Sequence, residues 1–285
     1  MIERPFAQVD VFTDRPFLGN PVAVVLDAHG LDDAAMRRIA RWTNLSETTF
    51  VLPASRPGAD YRVRIFTPAR ELPFAGHPTL GTAHALLEAG RIRPQDGRLM
   101  QDCAAGAVSL TVESDAAGAT RLFFELPAAA CRPVAPDAAA AVARALGLPG
   151  IDGLDRIDVG PVWLTARLES AEAVLALEPD HAALAAAYAP LGATGVTVFG
   201  PHASGAARWE VRSFAPADGV PEDPVCGSGN GCVAAWLAAR GERFEHLALQ
   251  GRRVGRDGRI LARRGASGIE VGGAAVTCVR GSLRT

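Results

Sequence analysis

Two stretches of this sequence place reactive side chains beside a glycine-rich helix start. Glu71-Leu72-Pro73-Phe74-Ala75-Gly76-His77-Pro78 leads into an Ala-rich segment that ends at Gly90. Glu222-Asp223-Pro224-Val225-Cys226-Gly227-Ser228-Gly229 leads into another that ends at Gly241. One offset of 151 residues relates both ends of the two stretches (71 to 222, 90 to 241). A helix N-terminus leaves backbone N–H groups unpaired and carries about half a positive charge. Glycine lets a ligand approach those donors closely. Two such termini facing each other would hold a carboxylate-bearing molecule from both sides, so the expected active site is a cleft between two matched halves.

The elements that must position these turns also repeat. Arg64-Ile65-Phe66-Thr67-Pro68 reads as a lead-in strand and is matched by Arg212-Ser213-Phe214-Ala215-Pro216. A weaker echo pairs Asn20-Pro21-Val22 with Gly160-Pro161-Val162. Strands are predicted at 7–12, 21–26, 48–52, 61–66, 107–112, 121–126, 159–168, 196–199 and 209–214. Helices are predicted at 32–42, 79–89, 138–146, 182–188 and 230–239. Short alternating strands close the chain. The Ala/Pro-rich stretch 128–136 reads as an irregular linker. The expected domains are residues 1–128 and 129–285, with the last strand, about 274–285, available to complete the first. The fold class is α+β, two similar lobes with strands wrapped around one apolar helix.

Several residues have a structural and a chemical reading. Glu47 opens the apolar run Thr48-Thr49-Phe50-Val51, and a partly desolvated carboxyl there would have its pKa raised towards neutrality. Such a group can take a proton and return it; otherwise it is a Glu near a helix start after Asn44. His77 either relays a proton or bonds the turn's own backbone, and His84 reads as a packed helix residue. Asp223 either fixes a substrate group or stabilises its turn, and the chemistry of the side chains alone leaves Glu222 an equal candidate. Cys226 is either a thiol of lowered pKa at a helix start or a small residue in a tight turn. A two-base racemase would need a second base on the other face, and Ala75 cannot be one.

Composition excludes other functions. The formal charge is −2 and Arg is scattered, so the basic stripe of a nucleic-acid binder is missing. Gly227-Ser228-Gly229-Asn230-Gly231 lacks the Gly-Lys-Ser/Thr ending of a phosphate loop, and the chain contains no lysine. The glycine spacing also fails a dinucleotide fingerprint. Five cysteines fit no disulfide framework, and six dispersed histidines offer no metal-ligand spacing. With no apolar stretch of membrane length and no leader-like start, a soluble cytoplasmic protein is expected.

A set of motifs resembles the PhzF family, named for phenazine biosynthesis, within the diaminopimelate-epimerase-like fold. They are Gly19-Asn20-Pro21-Val22-Ala23-Val24, Leu45-Ser46-Glu47-Thr48-Thr49-Phe50, Phe66-Thr67-Pro68, Phe74-Ala75-Gly76-His77-Pro78-Thr79-Leu80-Gly81, Phe214-Ala215-Pro216 and Glu222-Asp223-Pro224-Val225-Cys226-Gly227-Ser228. The resemblance implies two lobes, each a curled, mostly antiparallel sheet around a central helix, with the site between them. It implies a homodimer, no cofactor and no metal, and a small-molecule carboxylate substrate. It carries the acid/base role onto Glu47, with His77 and Asp223 as helpers, and ligand binding onto Ser46, Gly76, Gly227 and Ser228. The implied activity is isomerisation of a cyclic amino acid of the dihydro-hydroxyanthranilate type. Cys226 departs from the pattern: related epimerases and racemases use two cysteines, at the positions of Ala75 and Cys226, and PhzF-like proteins usually have neither. An amino-acid epimerase, racemase or dehydratase using Cys226 is therefore the alternative, and a non-catalytic small-molecule binder the third reading.

Overall fold

The computed structural model describes residues 1–114, 119–266 and 268–285. Its contacts divide the chain into two units, residues 1–125 with 272–285, and residues 126–271.

In the first unit the elements are β1 (Glu3–Val11), β2 (Asn20–Val25), α1 (Asp33–Thr43), β3 (Glu47–Leu52), β4 (Tyr61–Phe66), β5 (Glu71–Leu72), α2 (Gly76–Glu88), β6 (Arg98–Cys103), β7 (Gly106–Ser114) and β8 (Thr120–Glu125). Pairing is mixed. β1–β2, β3–β4, β4–β5, β6–β7 and β7–β8 are antiparallel, whereas β2–β3 and β4–β6 are parallel. The two parallel pairs follow from the crossovers through α1 and α2, because parallel strands need a long connection. Asp32 caps α1 by accepting from the Ala35 N–H, and Asn44 ends it in the left-handed conformation at φ 53°. Met36 and Ala40 of α1 join Val25, Phe50 and Phe66 in a buried cluster. α2 packs against β1, β2, β3 and β8 and is buried over most of its length, from His77 to Leu86. Gly81 allows that approach: a Cβ there would lie 2.3 Å from Val22 Cγ1.

The second unit contains β9 (Ala130–Pro133), α3 (Pro136–Ala145), β10 (Asp155–Asp158), β11 (Val162–Arg167), α4 (Ala171–Leu175), α5 (His181–Tyr188), β12 (Gly195–Pro201), β13 (Trp209–Ala215), β14 (Val220–Asp223), α6 (Gly227–Ala239), β15 (His246–Gln250) and β16 (Gly258–Arg264), and β17 (Ile269–Arg284) starts there. Its pairings run in the same order as the first unit's. β10–β11 is antiparallel, β11–β12 parallel, β12–β13 and β13–β14 antiparallel, β13–β15 parallel and β15–β16 antiparallel. α6 takes the place of α2 and is buried along most of its length. The duplication read from the sequence is therefore a duplication of pairing topology.

Two expectations need correction. The stretch 128–136 is not an irregular linker, because it contains β9, which pairs antiparallel with β10, Cys131 opposite Ile157. Its composition hides a ladder that needs only backbone groups. Both repeat helices also start three residues before the predicted position, at Gly76 and Gly227. The glycine-rich turns are the first helical turns themselves, and Pro78 is tolerated there because its missing N–H has no intrahelical partner.

The chain exchanges strands between the units. After β8 it enters the second unit and forms β9 against β10. After Val271 it returns to the first, where β17 runs antiparallel to β1 from Ala275 to Arg284.

Candidate active site

The first unit brings together Ser46, Glu47, Gly76 and His77. Glu47 opens β3 directly opposite Val22 in the parallel β2–β3 ladder, and residues in register share one face of a sheet. That face meets the first turn of α2, where His77 Nε2 lies 3.3 Å from Glu47 Oε2. Both side chains are largely buried. Burial pushes the Glu47 carboxyl up to about 7, with the adjacent Ser46 hydroxyl opposing the shift. A carboxyl in this range populates both protonation states at neutral pH, which is what a group that takes and returns a proton requires. Ala75, the residue before α2, offers no side-chain cap to the first-turn N–H groups. Gly76 is fixed by packing, since a Cβ there would sit 2.7 Å from Phe124 Cζ.

The second unit places Asp223, Gly227 and Ser228 at the end of β14 and the start of α6. Asp223 Oδ1 accepts from the Val225 N–H at 3.0 Å, an Asx turn that shapes the approach to the helix. Gln250 ties this turn together. Its Oε1 accepts from the Cys226 N–H at 3.1 Å and from Asn230 Nδ2 at 2.8 Å, and its Nε2 donates to the Asp223 carbonyl at 2.9 Å. Nothing in the sequence singled out Gln250, because its role depends on a parallel strand pairing some 25 residues downstream.

Glu222 and Asp223, chemically equivalent in the sequence, have different surroundings. Glu222 receives two hydrogen bonds from Arg212, Nε to Oε1 at 3.0 Å and Nη2 to Oε2 at 2.8 Å. The first unit repeats this fork: Arg64 donates to Glu71 through Nε and Nη2, both at 2.7 Å. Each arginine also stacks on the phenylalanine two residues on, Arg64 on Phe66 at 5.1 Å and Arg212 on Phe214 at 4.9 Å. Glu71 and Glu222 are thus matched structural partners of arginine, and Asp223 is the carboxyl of the second turn outside that pair.

The thiol of Cys226 is not acidified. Burial, reinforced by the charge of Asp223, pushes its pKa well above the ordinary thiol range. Its Sγ instead accepts from the Gly229 N–H at 3.2 Å and caps α6. Of the two readings of Cys226, the small residue fitted into a tight turn is the one supported, because desolvation by burial outweighs the helix-start potential. Cys103 and Cys232 are buried, Cys131 and Cys278 half-buried, and all five cysteines are free.

The sequence also gave no role to Trp163, whose indole N–H donates to Ser228 Oγ at 2.9 Å. The echo of Asn20-Pro21-Val22 in Gly160-Pro161-Val162 pointed near it but is one residue out of register. Val22 lies opposite Glu47, and Trp163 lies opposite Gly195.

Among the described residues there is no cluster of three or more His, Cys, Asp or Glu side chains arranged to hold a metal ion. Likewise, no helix there is long and apolar enough to cross a membrane.

The chain as a whole matches a known family. Residues 9–281 match the PhzC-PhzF family, described as phenazine biosynthesis-like protein, and the chain belongs to that family. It is 37% identical over 288 residues to the trans-2,3-dihydro-3-hydroxyanthranilate isomerase of Pseudomonas fluorescens, covering 96% of this chain and 97% of that one. It is 40% identical over 294 residues to antisense-enhancing sequence 1 of Schizosaccharomyces pombe, covering 99% of both chains. In fold it is similar to the crystal structure of a PhzF-family protein from Bacillus anthracis, with a TM-score of 0.88, 24% identity and full coverage of both chains.

Proposed function

We propose that this protein is an isomerase that moves a proton, and with it a double bond, within a cyclic carboxylate of the trans-2,3-dihydro-3-hydroxyanthranilate type. The observation that carries the reading is the buried Glu47 carboxyl, raised to about 7, against His77. Glu47 removes a proton from a carbon conjugated to the substrate carboxylate. The electron pair enters the conjugated system and the double bond shifts. Protonated Glu47 returns the proton at a second carbon, so atoms and charge balance. His77 orients the Glu47 carboxyl or bonds a substrate hydroxyl. Backbone N–H groups at Gly76 and Gly227, with the Ser46 and Ser228 hydroxyls, hold the carboxylate and the negative charge that develops on it. Asp223 holds a substrate amino group.

That the two glycine-rich turns serve one substrate, each from a lobe built around its own buried helix, is part of this proposal and is supported by the matched topologies and by family membership. Independence of a cofactor and homodimerisation belong to the same proposal. Cys226 as a base loses its support with a protonated, capping thiol, so the epimerase alternative is not favoured.

The test is turnover of trans-2,3-dihydro-3-hydroxyanthranilate in D2O by the wild type and by Glu47→Gln, followed by NMR. Loss of a general acid/base costs about 10²–10⁴-fold in rate, so Glu47→Gln is expected to lose at least 100-fold with little change in binding. Retained turnover in that variant overturns the reading. Saturable binding by the wild type with no exchange of substrate protons supports the non-catalytic binder instead.

A further inference from the structure

The duplication is broken at one place on the face that meets the central helix. Arg64 matches Arg212 and Phe66 matches Phe214, and this spacing of 148 residues (64 to 212, 66 to 214) carries Glu47 onto Gly195. The ladders agree: Thr48 lies opposite Phe66, and Val196 opposite Phe214. On the helix, His77 matches Ser228. In the first unit the residue beside Glu47 is the small Val22, and the side chain that reaches the helix start comes from β3. In the second unit β12 contributes no side chain there. A Cβ on Gly195 would lie 2.1 Å from the Phe214 carbonyl oxygen and 2.7 Å from Trp163 Cζ3. The side chain that reaches the helix start comes instead from β11, and it is the indole of Trp163. Large and small have changed places between neighbouring strands. An acid against a histidine has become an N–H donor against a serine.

We infer that Trp163 is a positioning residue for carboxylate recognition, and that it sets the direction of the Ser228 hydroxyl. This inference rests on the proposed role of Ser228 in binding. The indole N–H can only donate. Ser228 Oγ must therefore accept from it, and the Ser228 proton is left to donate elsewhere. Within the turn its partner is Cys226 Sγ at 3.6 Å, a weak acceptor. A substrate carboxylate offers a better acceptor, and a hydroxyl already polarised by a donor is the stronger donor to it. Trp163 is buried and its ring fills the space that a side chain at position 195 would take, so the arrangement is set before the ligand arrives. The chemical class selected is an anionic carboxylate; a neutral amide in its place offers only a carbonyl oxygen, a weaker acceptor.

The test is a double-mutant cycle between Trp163→Phe, which keeps a ring but removes the N–H, and Ser228→Ala. One net hydrogen bond corresponds to about fivefold in binding. Trp163→Phe is expected to raise KM about fivefold with kcat changed less than about twofold, and to have no further effect in the Ser228→Ala background. Equal effects in both backgrounds, or a fall in kcat with KM unchanged, overturn the inference. If Trp163→Phe fails to fold, benzothienylalanine at position 163 removes the N–H at nearly constant shape and is read in the same way. Should the wild type not turn over trans-2,3-dihydro-3-hydroxyanthranilate, the functional proposal fails on its own. The cycle is then read as Kd for anthranilate against anthranilamide by calorimetry, and a loss of carboxylate preference confined to the Ser228 background is the expected result. Loss of turnover in Glu47→Gln together with unchanged KM in Ser228→Ala overturns this inference and the binding role of Ser228, and leaves the acid/base role of Glu47 standing.

Discussion

Replacing Glu47 by Gln should stabilise the protein at pH 8 and do little at pH 4.5. The reasoning is a proton linkage. Burial holds the Glu47 carboxyl at about 7 in the folded chain, against 4.5 as its ordinary value. Below 4.5 the group is neutral folded or unfolded and contributes no difference. As pH rises from 4.5 to 7 the unfolded chain gives up the proton while the folded chain keeps it, and folding stability falls. Above about 7 the folded carboxyl ionises as well and the loss is complete. At about 1.4 kcal/mol per tenfold change in the proton equilibrium, the full loss is about 3 kcal/mol. Gln has the same shape and does not titrate, so the difference between variant and wild type should grow by about 3 kcal/mol between pH 4.5 and pH 8. Urea denaturation followed by far-ultraviolet circular dichroism at both pH values measures it. Glu210 is also buried and raised to about 7, but it is present in both proteins and cancels in the difference. A difference independent of pH would refute the claim that Glu47 is desolvated, and with it the basis for its dual role as acid and base.

The two arginine forks should differ in worth. Arg212 and Glu222 have side chains only 5% and 8% exposed, against 18% and 29% for Arg64 and Glu71. Glu222→Gln is expected to cost about 3 kcal/mol, because it leaves a buried guanidinium without its counter-charge. Glu71→Gln should cost about 1 kcal/mol or less, and thermal denaturation at one pH ranks the two. Cys226→Ala removes a helix cap and is expected to cost about 1 kcal/mol in stability while turnover stays within a few-fold. A thousandfold loss of turnover without unfolding would instead restore the thiol as a base.

What the sequence disclosed follows from where identity was kept. The arginine, phenylalanine, glutamate and glycine positions recur at constant spacing because each repeat needs the same fork and the same close helix approach, and that made the duplication and both turns readable. Glu47 was readable as a desolvated carboxyl from the apolar run behind it. β9 was hidden because small side chains and proline mask a strand held only by its backbone. Glu222 could not be told from Asp223 until the arginine opposite it was placed. Cys226 was ambiguous because potential at a helix start and burial act in opposite directions, and only the degree of burial decides. Trp163 was invisible because its importance lies in being opposite a glycine 32 positions away (163 to 195).

The strand exchange has an evolutionary and practical consequence. In a simple tandem duplication either copy could be lost and the other would still fold. Here the first unit takes residues 272–285 from the far end of the chain, and Ile2 and Thr285 are joined by backbone hydrogen bonds of 2.7 and 2.9 Å. Cutting the gene at its midpoint would leave β1 with an open edge, the kind of surface along which chains aggregate. Joining the adjacent termini and opening the chain elsewhere would preserve every ladder.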